Sequence, residues 1–247
     1  MKGSRPKRRR PSPAARIRPF WIAIIFVVAL VAVGAGFAVT WPGFDTKSIA
    51  VTGNHRVTSS EILAKAAIAP RTSVWFQNTG AMAKRIGAIP YVGSVRIRRF
   101  PPSAIRINVT ERSPYAELRS GANDAVADRA LRILSNDEVE TLPIFVLRPG
   151  LDLTPGTFVT QADALSLRDA YAALVERGFL PVQLNLDRYG GLEVTLQTGP
   201  RLILGTGADL PKKLALVNAI LAQVVRGERR VAAIDLRAPG TPVVVYR

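Results

Sequence analysis

The chain has 247 residues, with 34 Lys and Arg, 18 Asp and Glu and one His, which gives a formal net charge of +16 at pH 7. This length allows one or two compact domains and excludes a large multidomain enzyme. Hydrophobic residues make up 48% of the chain, enough for ordered cores. Cysteine is absent, which excludes disulfide frameworks, zinc knuckles, iron–sulfur clusters and thiol catalysis.

The positive charge is concentrated at the N-terminus. Residues 1–18 carry eight Lys and Arg and no acid, and the rest of the chain has 26 basic and 18 acidic residues. A basic stretch beside an apolar segment is attracted to anionic lipid, and no aromatic side chain is interleaved with these charges to stack on bases. We therefore predict a cytoplasmic basic tail at residues 1–18 that does not bind nucleic acid.

A long apolar segment follows the tail. Residues 19–41 contain no charged side chain, and residues 20–39 form a helix of about 30 Å, the thickness of the hydrocarbon core. Trp21 and Trp41 bracket the segment, as is typical of the membrane interface. A cleaved signal peptide is the competing interpretation: its apolar region is usually shorter, although the small residues at 35–38 leave a cleavage site open. We predict an uncleaved transmembrane helix.

The position of the basic flank predicts the orientation of the chain. Positive residues favour the cytoplasmic side of a membrane, so residues 1–18 remain inside and residues 42–247 are exported. The chain is then a single-pass type II protein of the cytoplasmic membrane.

The first exported unit spans residues 44–112 and has the predicted order β-α-α-β-β. Thr58 and Glu61 have the spacing of a capping box at the start of a helix. Alternation and helical periodicity predict these elements: a strand at Ser48–Thr52, helices at Ile62–Ile68 and Thr79–Ala88, and strands at Val92–Phe100 and Ala104–Glu111. A small sheet covered by two helices resembles a POTRA module.

The two strands after the second helix form a predicted hairpin with one buried and one solvated face. We predict that four basic residues lie on the solvated face: Arg96, Arg98, Arg99 and Arg106. These arginines either receive an acidic segment of a partner or keep the sheet soluble, and the sequence leaves both interpretations open.

The second exported unit spans residues 113–247 and is richer in strands. Asp187–Gly191 is predicted to form a hairpin turn. The predicted strands are Tyr115–Arg119, Arg132–Leu134, Ile144–Leu147, Val182–Leu186, Leu192–Leu196, Leu202–Leu204, Ala233–Leu236 and Val243–Tyr246, with helices at Asp163–Arg177 and Leu210–Val225. The fold class is therefore α+β: one N-terminal transmembrane helix, a POTRA-like unit, and a mostly antiparallel β domain with two helices.

The sequence contains few of the residue patterns that are typical of catalytic or cofactor-binding sites. His55 is the one histidine and lies in a predicted turn with no partner group nearby, so we interpret it as a surface residue. Gly205-Thr206-Gly207 lacks the third glycine of a dinucleotide fingerprint and the Gly-Lys-Ser/Thr of a P-loop, and we interpret it as a tight strand-to-helix connection. We predict no catalytic residue, no cofactor and no metal.

Several local strings resemble the FtsQ/DivIB family of bacterial cell-division proteins. The strings are Ile49-Ala50-Val51-Thr52-Gly53-Asn54, Pro90-Tyr91-Val92 leading to Val95–Pro101, Ile107-Asn108-Val109-Thr110-Glu111-Arg112-Ser113-Pro114, and Ile234-Asp235-Leu236-Arg237. The resemblance extends over residues 17–247 and includes the single N-terminal crossing. The POTRA strings alone are shared with outer-membrane assembly proteins, whereas the Glu-Arg-x-Pro junction and the Ile-Asp-Leu-Arg string are more specific.

The resemblance implies a non-enzymatic divisome scaffold at the division septum. Such proteins bind FtsB and FtsL on the outer side of the cytoplasmic membrane and help control septal peptidoglycan synthesis, and the POTRA unit contacts other divisome proteins. In the family, FtsB adds a strand to the edge of the last β-domain strand. Carried over to this sequence, the partner-binding residues are Ala238, Gly240, Thr241, Val243, Val244, Val245 and Tyr246.

The residues themselves favour the same location. A terminal strand of three valines offers N–H and C=O groups to an extended peptide, and Pro239 and Pro242 fit an edge better than a central strand. The competing interpretation is that residues 243–246 pair inside the sheet and contact no partner. Two further functions stay open: a membrane-anchored protein that binds or cleaves peptidoglycan, and a POTRA chaperone for outer-membrane proteins.

Overall fold

The computed structural model describes residues 13–39, 41–137, 141–226 and 231–246, so most of the predicted basic tail lies outside the described residues. Helix α1 spans Pro13–Val39. Its segment Phe20–Phe37 has a mean hydropathy of 2.7, and none of its residues is buried inside the protein. Among the described residues this is one helix long and apolar enough to cross a membrane, and a short 3₁₀ turn at Pro42–Phe44 follows it.

The first sheet lies directly after this turn. Strands β1 (Ser48–Thr52), β2 (Val92–Phe100) and β3 (Ala104–Glu111) are arranged in the order β1-β3-β2. Strand β1 pairs parallel with β3, and β2 pairs antiparallel with it. Helices α2 (Ser59–Ala66) and α3 (Thr79–Gly87) cover one face. The side chains at the centre of this core are fully buried: Ile62, Met82, Ile86, Ile105 and Ile107.

Both helices of this unit begin at capping side chains. The Thr58 hydroxyl accepts the N–H of Glu61 at 3.2 Å, as the capping box predicts. Helix α2 begins at Ser59, directly after the cap, so the predicted start at Ile62 was three residues late. The Asn78 side chain accepts the N–H of Ala81 at 2.9 Å and starts α3.

The remaining strands form one sheet of nine, in the order β12-β11-β10-β9-β8-β7-β4-β5-β6. Five of its eight pairings are antiparallel, which fits the expected mostly antiparallel unit. The strands are β4 (Ala116–Ser120), β5 (Asn123–Ala127), β6 (Ile133–Ser135), β7 (Ile144–Leu147), β8 (Pro181–Leu186), β9 (Leu192–Leu196), β10 (Arg201–Gly205), β11 (Val231–Asp235) and β12 (Val243–Tyr246).

Two helices cover one face of this sheet and build the second core. Helices α4 (Ala162–Glu176) and α5 (Leu210–Arg226) bury Leu167, Leu174, Leu214 and Val217 against it. The α+β fold class is confirmed, and each predicted helix of this unit is present within one residue of its predicted bounds. Strand β5 was not predicted.

The two sheets meet at a polar junction. Arg112, one residue after β3, forms an ion pair of 2.5 Å with Asp128, one residue after β5. The hydroxyl of Tyr91 lies 3.1 Å from the hydroxyl of Ser135 in β6. These contacts join the first unit to the β5–β6 end of the large sheet. Strand β12 is the last strand at the opposite end.

Candidate functional site

The large sheet has two edges, and they differ. Strand β12 forms one edge and pairs antiparallel with β11 alone, with Asp235 opposite Val243, Ile234 opposite Val244 and Ala233 opposite Val245. No other described strand pairs with its outer side. The sequence prediction that residues 243–246 form a strand is confirmed in its bounds, and its position in the sheet is an edge.

The opposite edge, β6, is covered by another part of the chain. The Ile133 N–H donates to the Thr157 carbonyl at 2.9 Å, and the Gly156 N–H donates to the Ile133 carbonyl at 2.8 Å. An isolated bridge joins Arg132 to Phe158 on the same segment. Covering an edge in this way satisfies its backbone groups and hinders pairing with other chains. The β6 edge is therefore covered at Ile133, whereas no described strand covers β12.

The side chains of β12 divide between the two faces of the sheet. Val244 lies opposite Ile234 and packs against the main core, which fixes the position of the strand. Val243 and Val245 point the other way and are 57% and 49% exposed. β-Strand addition requires an anchored strand with exposed apolar side chains and an outer side beside which no other strand lies, and Val243–Val245 have this arrangement.

The connection before β12 begins at a forked ion pair. The Arg237 guanidinium donates to Asp235 from Nη2 at 2.6 Å and from Nε at 3.0 and 3.1 Å, and the Arg237 backbone N–H adds a bond of 3.0 Å. The hydrogen bonds from the Arg237 side chain lower the pKa of Asp235, and its backbone N–H adds to this effect against the opposing effect of burial. The pair therefore stays charged at neutral pH and holds the chain where it leaves β11.

The seven residues predicted to bind a partner fall into two groups. Ala238, Gly240 and Thr241 lie in the exposed connection rather than in the strand, with the Thr241 N–H donating to the Ala238 carbonyl at 3.0 Å. The other four form β12 itself. Sequence reasoning assigned no role to the ion pair of Asp235 and Arg237, although its two residues belong to one of the strings that carry the resemblance.

A second polar surface lies on the open face of the small sheet. Arg96, Arg98 and Arg106 line a shallow cavity of about 220 Å³ together with Phe100 and Asn108. The Arg106 guanidinium stacks over the Phe100 ring at 4.6 Å. Arg98 lies directly opposite Arg106 across the β2–β3 pair, so like charges are neighbours there.

The assignment of Arg99 to this surface was wrong. Arg99 lies opposite Ile105, a buried residue on the helix-covered face. Its guanidinium donates to the Val74 carbonyl at 2.9 Å and to the Gln77 carbonyl at 2.7 Å. Successive side chains of a strand point to opposite faces, so Arg98 and Arg99 cannot share one, and the predicted face consists of the other three arginines.

Other sequence features have structural roles in this part of the chain. His55 is exposed in its turn, and its backbone N–H donates to Glu111 at 2.9 Å. Gly205 is the last residue of β10, and Thr206 and Gly207 lie in the connection to α5. The buried Lys213 donates from Nζ to the Leu204 and Thr206 carbonyls at 2.6 and 2.9 Å. Within the described residues, no group of His, Asp and Glu side chains has the spacing of a metal site.

Comparison with known proteins shows what this chain is similar to. Residues 44–112 match the family model described as "POTRA domain, FtsQ-type". The cell division protein FtsQ of Mycobacterium tuberculosis (strain ATCC 25618 / H37Rv) is 28% identical over 221 residues, which is 88% of this chain and 66% of that protein. The chain is thus similar to FtsQ cell-division proteins and carries an FtsQ-type POTRA domain.

Two further FtsQ proteins extend the similarity beyond the POTRA domain. The protein of Mycobacterium leprae (strain Br4923) is 27% identical over 95% of this chain and 67% of its own length. The protein of Anaeromyxobacter sp. (strain K) is 27% identical over 86% of this chain and 76% of its own length. The chain thus spans about two thirds to three quarters of the length of these relatives, and the similarity includes the large sheet.

Proposed function

We propose that this chain is a non-enzymatic divisome scaffold that binds FtsB and FtsL through the outer edge of β12. In this proposal α1 anchors the protein in the cytoplasmic membrane, with residues 1–18 inside, and the POTRA domain (44–112) and β domain (113–247) outside, at the division septum. By holding its partners there, the protein helps control septal peptidoglycan synthesis. The similarity to FtsQ cell-division proteins supports the divisome role, and the open β12 edge is the observation that carries the binding mode.

The contrast between the two edges of the large sheet supports this choice of surface. An exposed edge strand is a liability, and proteins usually cover or blunt it. Residues 156–159 cover β6, whereas β12 keeps an open side and two exposed valines. A partner segment paired there gains backbone hydrogen bonds for affinity, and contacts to Val243 and Val245 on alternate positions for specificity.

The POTRA domain supplies a second contact in the same proposal. Arg96, Arg98 and Arg106 form a basic surface with no acidic side chain hydrogen-bonded or ion-paired to it among the described residues. An acidic segment of another divisome protein is the complementary ligand. This contact is separate from the β12 edge and is not needed for FtsB binding.

A proline scan of residues 243–246 in the full chain tests the binding mode. Alternate residues of an antiparallel edge strand direct their N–H groups toward the neighbouring strand and toward the open side. Proline removes one N–H. At the positions that face the open side, we expect loss of FtsB co-purification with an unchanged melting temperature. At the positions that face β11, we expect a lower melting temperature.

The matched control is proline at Ile133 in β6, whose N–H is bonded within the chain, and it should lower stability without a specific effect on FtsB. Full FtsB binding by every correctly folded proline variant of β12 would reject the edge-strand site. Hydrolysis of purified sacculi by the unaltered chain would reject the non-enzymatic role and favour the peptidoglycan-cleaving alternative.

A further inference from the structure

The loop between α2 and α3 presents two large aromatic side chains to solvent. Trp75 is 46% exposed and Phe76 is 62% exposed. Scattered exposed apolar residues are normal on a protein surface, but these two are adjacent and lie between the buried Val74 and Gln77. The loop therefore buries its flanks and leaves its largest rings outside.

This exposure does not come from a loosely held loop. The Gln77 side chain, 3% exposed, donates to the Ala69 carbonyl at 2.8 Å and accepts the Ala69 N–H at 3.3 Å. Arg99 crosses from β2 and donates to the Val74 and Gln77 carbonyls on either side of the two rings. The aromatic pair is thus held on a preorganised platform, which lowers the entropy cost of binding.

The platform is hydrogen-bonded to the segment that leaves α1. The Val74 N–H donates to the Phe44 carbonyl at 2.8 Å, and the Thr46 N–H donates to the Thr72 carbonyl at 3.1 Å. Helix α1 ends at Val39, and the five residues from there to Phe44 span at most about 18 Å. The rings therefore cannot lie far from the end of α1.

The chemistry of the loop matches a lipid surface. Tryptophan is enriched at membrane–water interfaces, and residues 70–77 contain no acidic side chain. The segment after α1 adds one acid, the half-buried Asp45, which bridges to Ser73, and one exposed cation, Lys47. With the exposed Arg71 of the loop the net charge around the rings is positive, and cationic side chains near the surface are attracted to anionic lipid phosphates. Aromatic rings flanked by cations are the typical composition of a segment that enters the headgroup region.

We propose that residues 71–76 form a second membrane contact, in which Trp75 and Phe76 enter the headgroup region of the same bilayer that α1 crosses. This inference rests on the proposed membrane anchor. The contact docks the POTRA domain against the membrane surface and restricts its rotation about the segment after α1. The large sheet, tied to the POTRA domain through Arg112 and Asp128, is then held in a limited range of orientations above the bilayer.

Single-cysteine labelling of the full chain tests this contact cleanly, because the chain has no cysteine of its own. Three variants carry a polarity-sensitive fluorophore: Phe76→Cys in the loop, Ser94→Cys on β2 and Val28→Cys in α1. Ser94 is an exposed control on the open face of the POTRA sheet. The proteins are reconstituted into phosphatidylcholine vesicles with and without phosphatidylglycerol, and quenching by spin-labelled lipid is measured.

We expect the probe at position 76 to be blue-shifted and several-fold more strongly quenched than the probe at position 94, with a further increase in phosphatidylglycerol. Equal quenching at positions 76 and 94, with strong quenching at position 28, would overturn this contact and leave the anchor intact. A water-exposed probe at position 28 would instead reject the anchor. A shift at position 76 that needs added FtsB would also overturn the lipid contact, since a protein then covers the rings.

Discussion

Glu111 links the end of β3 to the turn before α2. Its carboxylate accepts the backbone N–H groups of His55, Arg56 and Val57 at 2.9–3.1 Å. Burial favours the neutral form, but the hydrogen bonds from Arg56, Val57 and His55 outweigh it and lower the pKa of Glu111. The Glu-Arg-x-Pro string at this position therefore has a structural cause: Glu111 holds the turn, and Arg112 pairs with Asp128.

Replacing Glu111 by Gln tests this role. We expect E111Q to lower the free energy of unfolding by about 1 kcal/mol at pH 7, because a neutral amide oxygen is a weaker acceptor for these N–H groups. The pKa of Glu111 is lower in the folded chain than in the unfolded chain, where a Glu pKa is about 4.3. The stabilisation by the charged carboxylate is therefore complete at pH values above the unfolded-state pKa, and it is lost as the pH falls through the folded-state pKa. Thermal unfolding of both proteins should therefore differ at pH 7 and converge in acid.

Thr110→Gln is a suitable control, since Thr110 is an exposed neighbour on the same strand. If E111Q and the unaltered protein differ by the same amount at every pH, the charge of Glu111 does not stabilise the turn.

The strand pair β2–β3 carries a local electrostatic cost. Arg98 and Arg106 are directly opposite on the open face, and like charges in this arrangement destabilise a sheet. The stacking of Arg106 on Phe100 and solvent screening reduce the repulsion but do not remove it. A basic face maintained at a cost to stability is consistent with the proposed acidic partner.

Reversing one charge of this pair tests the cost. We expect R98E to raise the free energy of unfolding by about 0.5 kcal/mol, because an opposite-charge pair replaces a like-charge pair. R96E makes the same change in net charge opposite Asn108 and should have a smaller effect. Denaturant unfolding at low and high salt measures both, and an R98E protein less stable than R96E at low salt would contradict the expectation.

Local patterns were sufficient to predict most elements, because alternation and helical periodicity are properties of neighbouring residues. Strand β5 was missed since its last three residues, Ala125, Val126 and Ala127, are all buried and show no alternation. The two-residue period of a strand is sufficient to place Arg99 on the face opposite to that of Arg98.

Features that depend on contacts between distant residues were harder to predict from the sequence. The order of strands in a nine-stranded sheet depends on contacts between residues that are far apart in sequence. Local patterns do not give this order, and the edge position of β12 was therefore predicted from the resemblance and from Pro239 and Pro242. The exposure of Trp75 and Phe76 could not be predicted, because an aromatic pair in a loop is buried or exposed according to how Gln77 and Arg99 fix that loop.

At the scale of the whole molecule, the open edge and the POTRA domain lie at different ends of the large sheet. The POTRA domain contacts the β5–β6 end through Arg112 and Tyr91, and β12 is the last strand at the other end. In the proposed assembly a partner that extends the sheet at β12 is therefore separated from the POTRA face, and both surfaces can be occupied at the same time.

Hydrogen–deuterium exchange of the full chain in lipid, with and without FtsB, tests the central proposal most directly. Partner addition to the open side converts solvent-exposed amides into hydrogen-bonded ones, so we expect amides within residues 243–246 to exchange many-fold more slowly in the complex. Strand β6, already covered by residues 156–159, should be unchanged. Stable FtsB binding with no slowing in β12 would contradict strand addition at this edge.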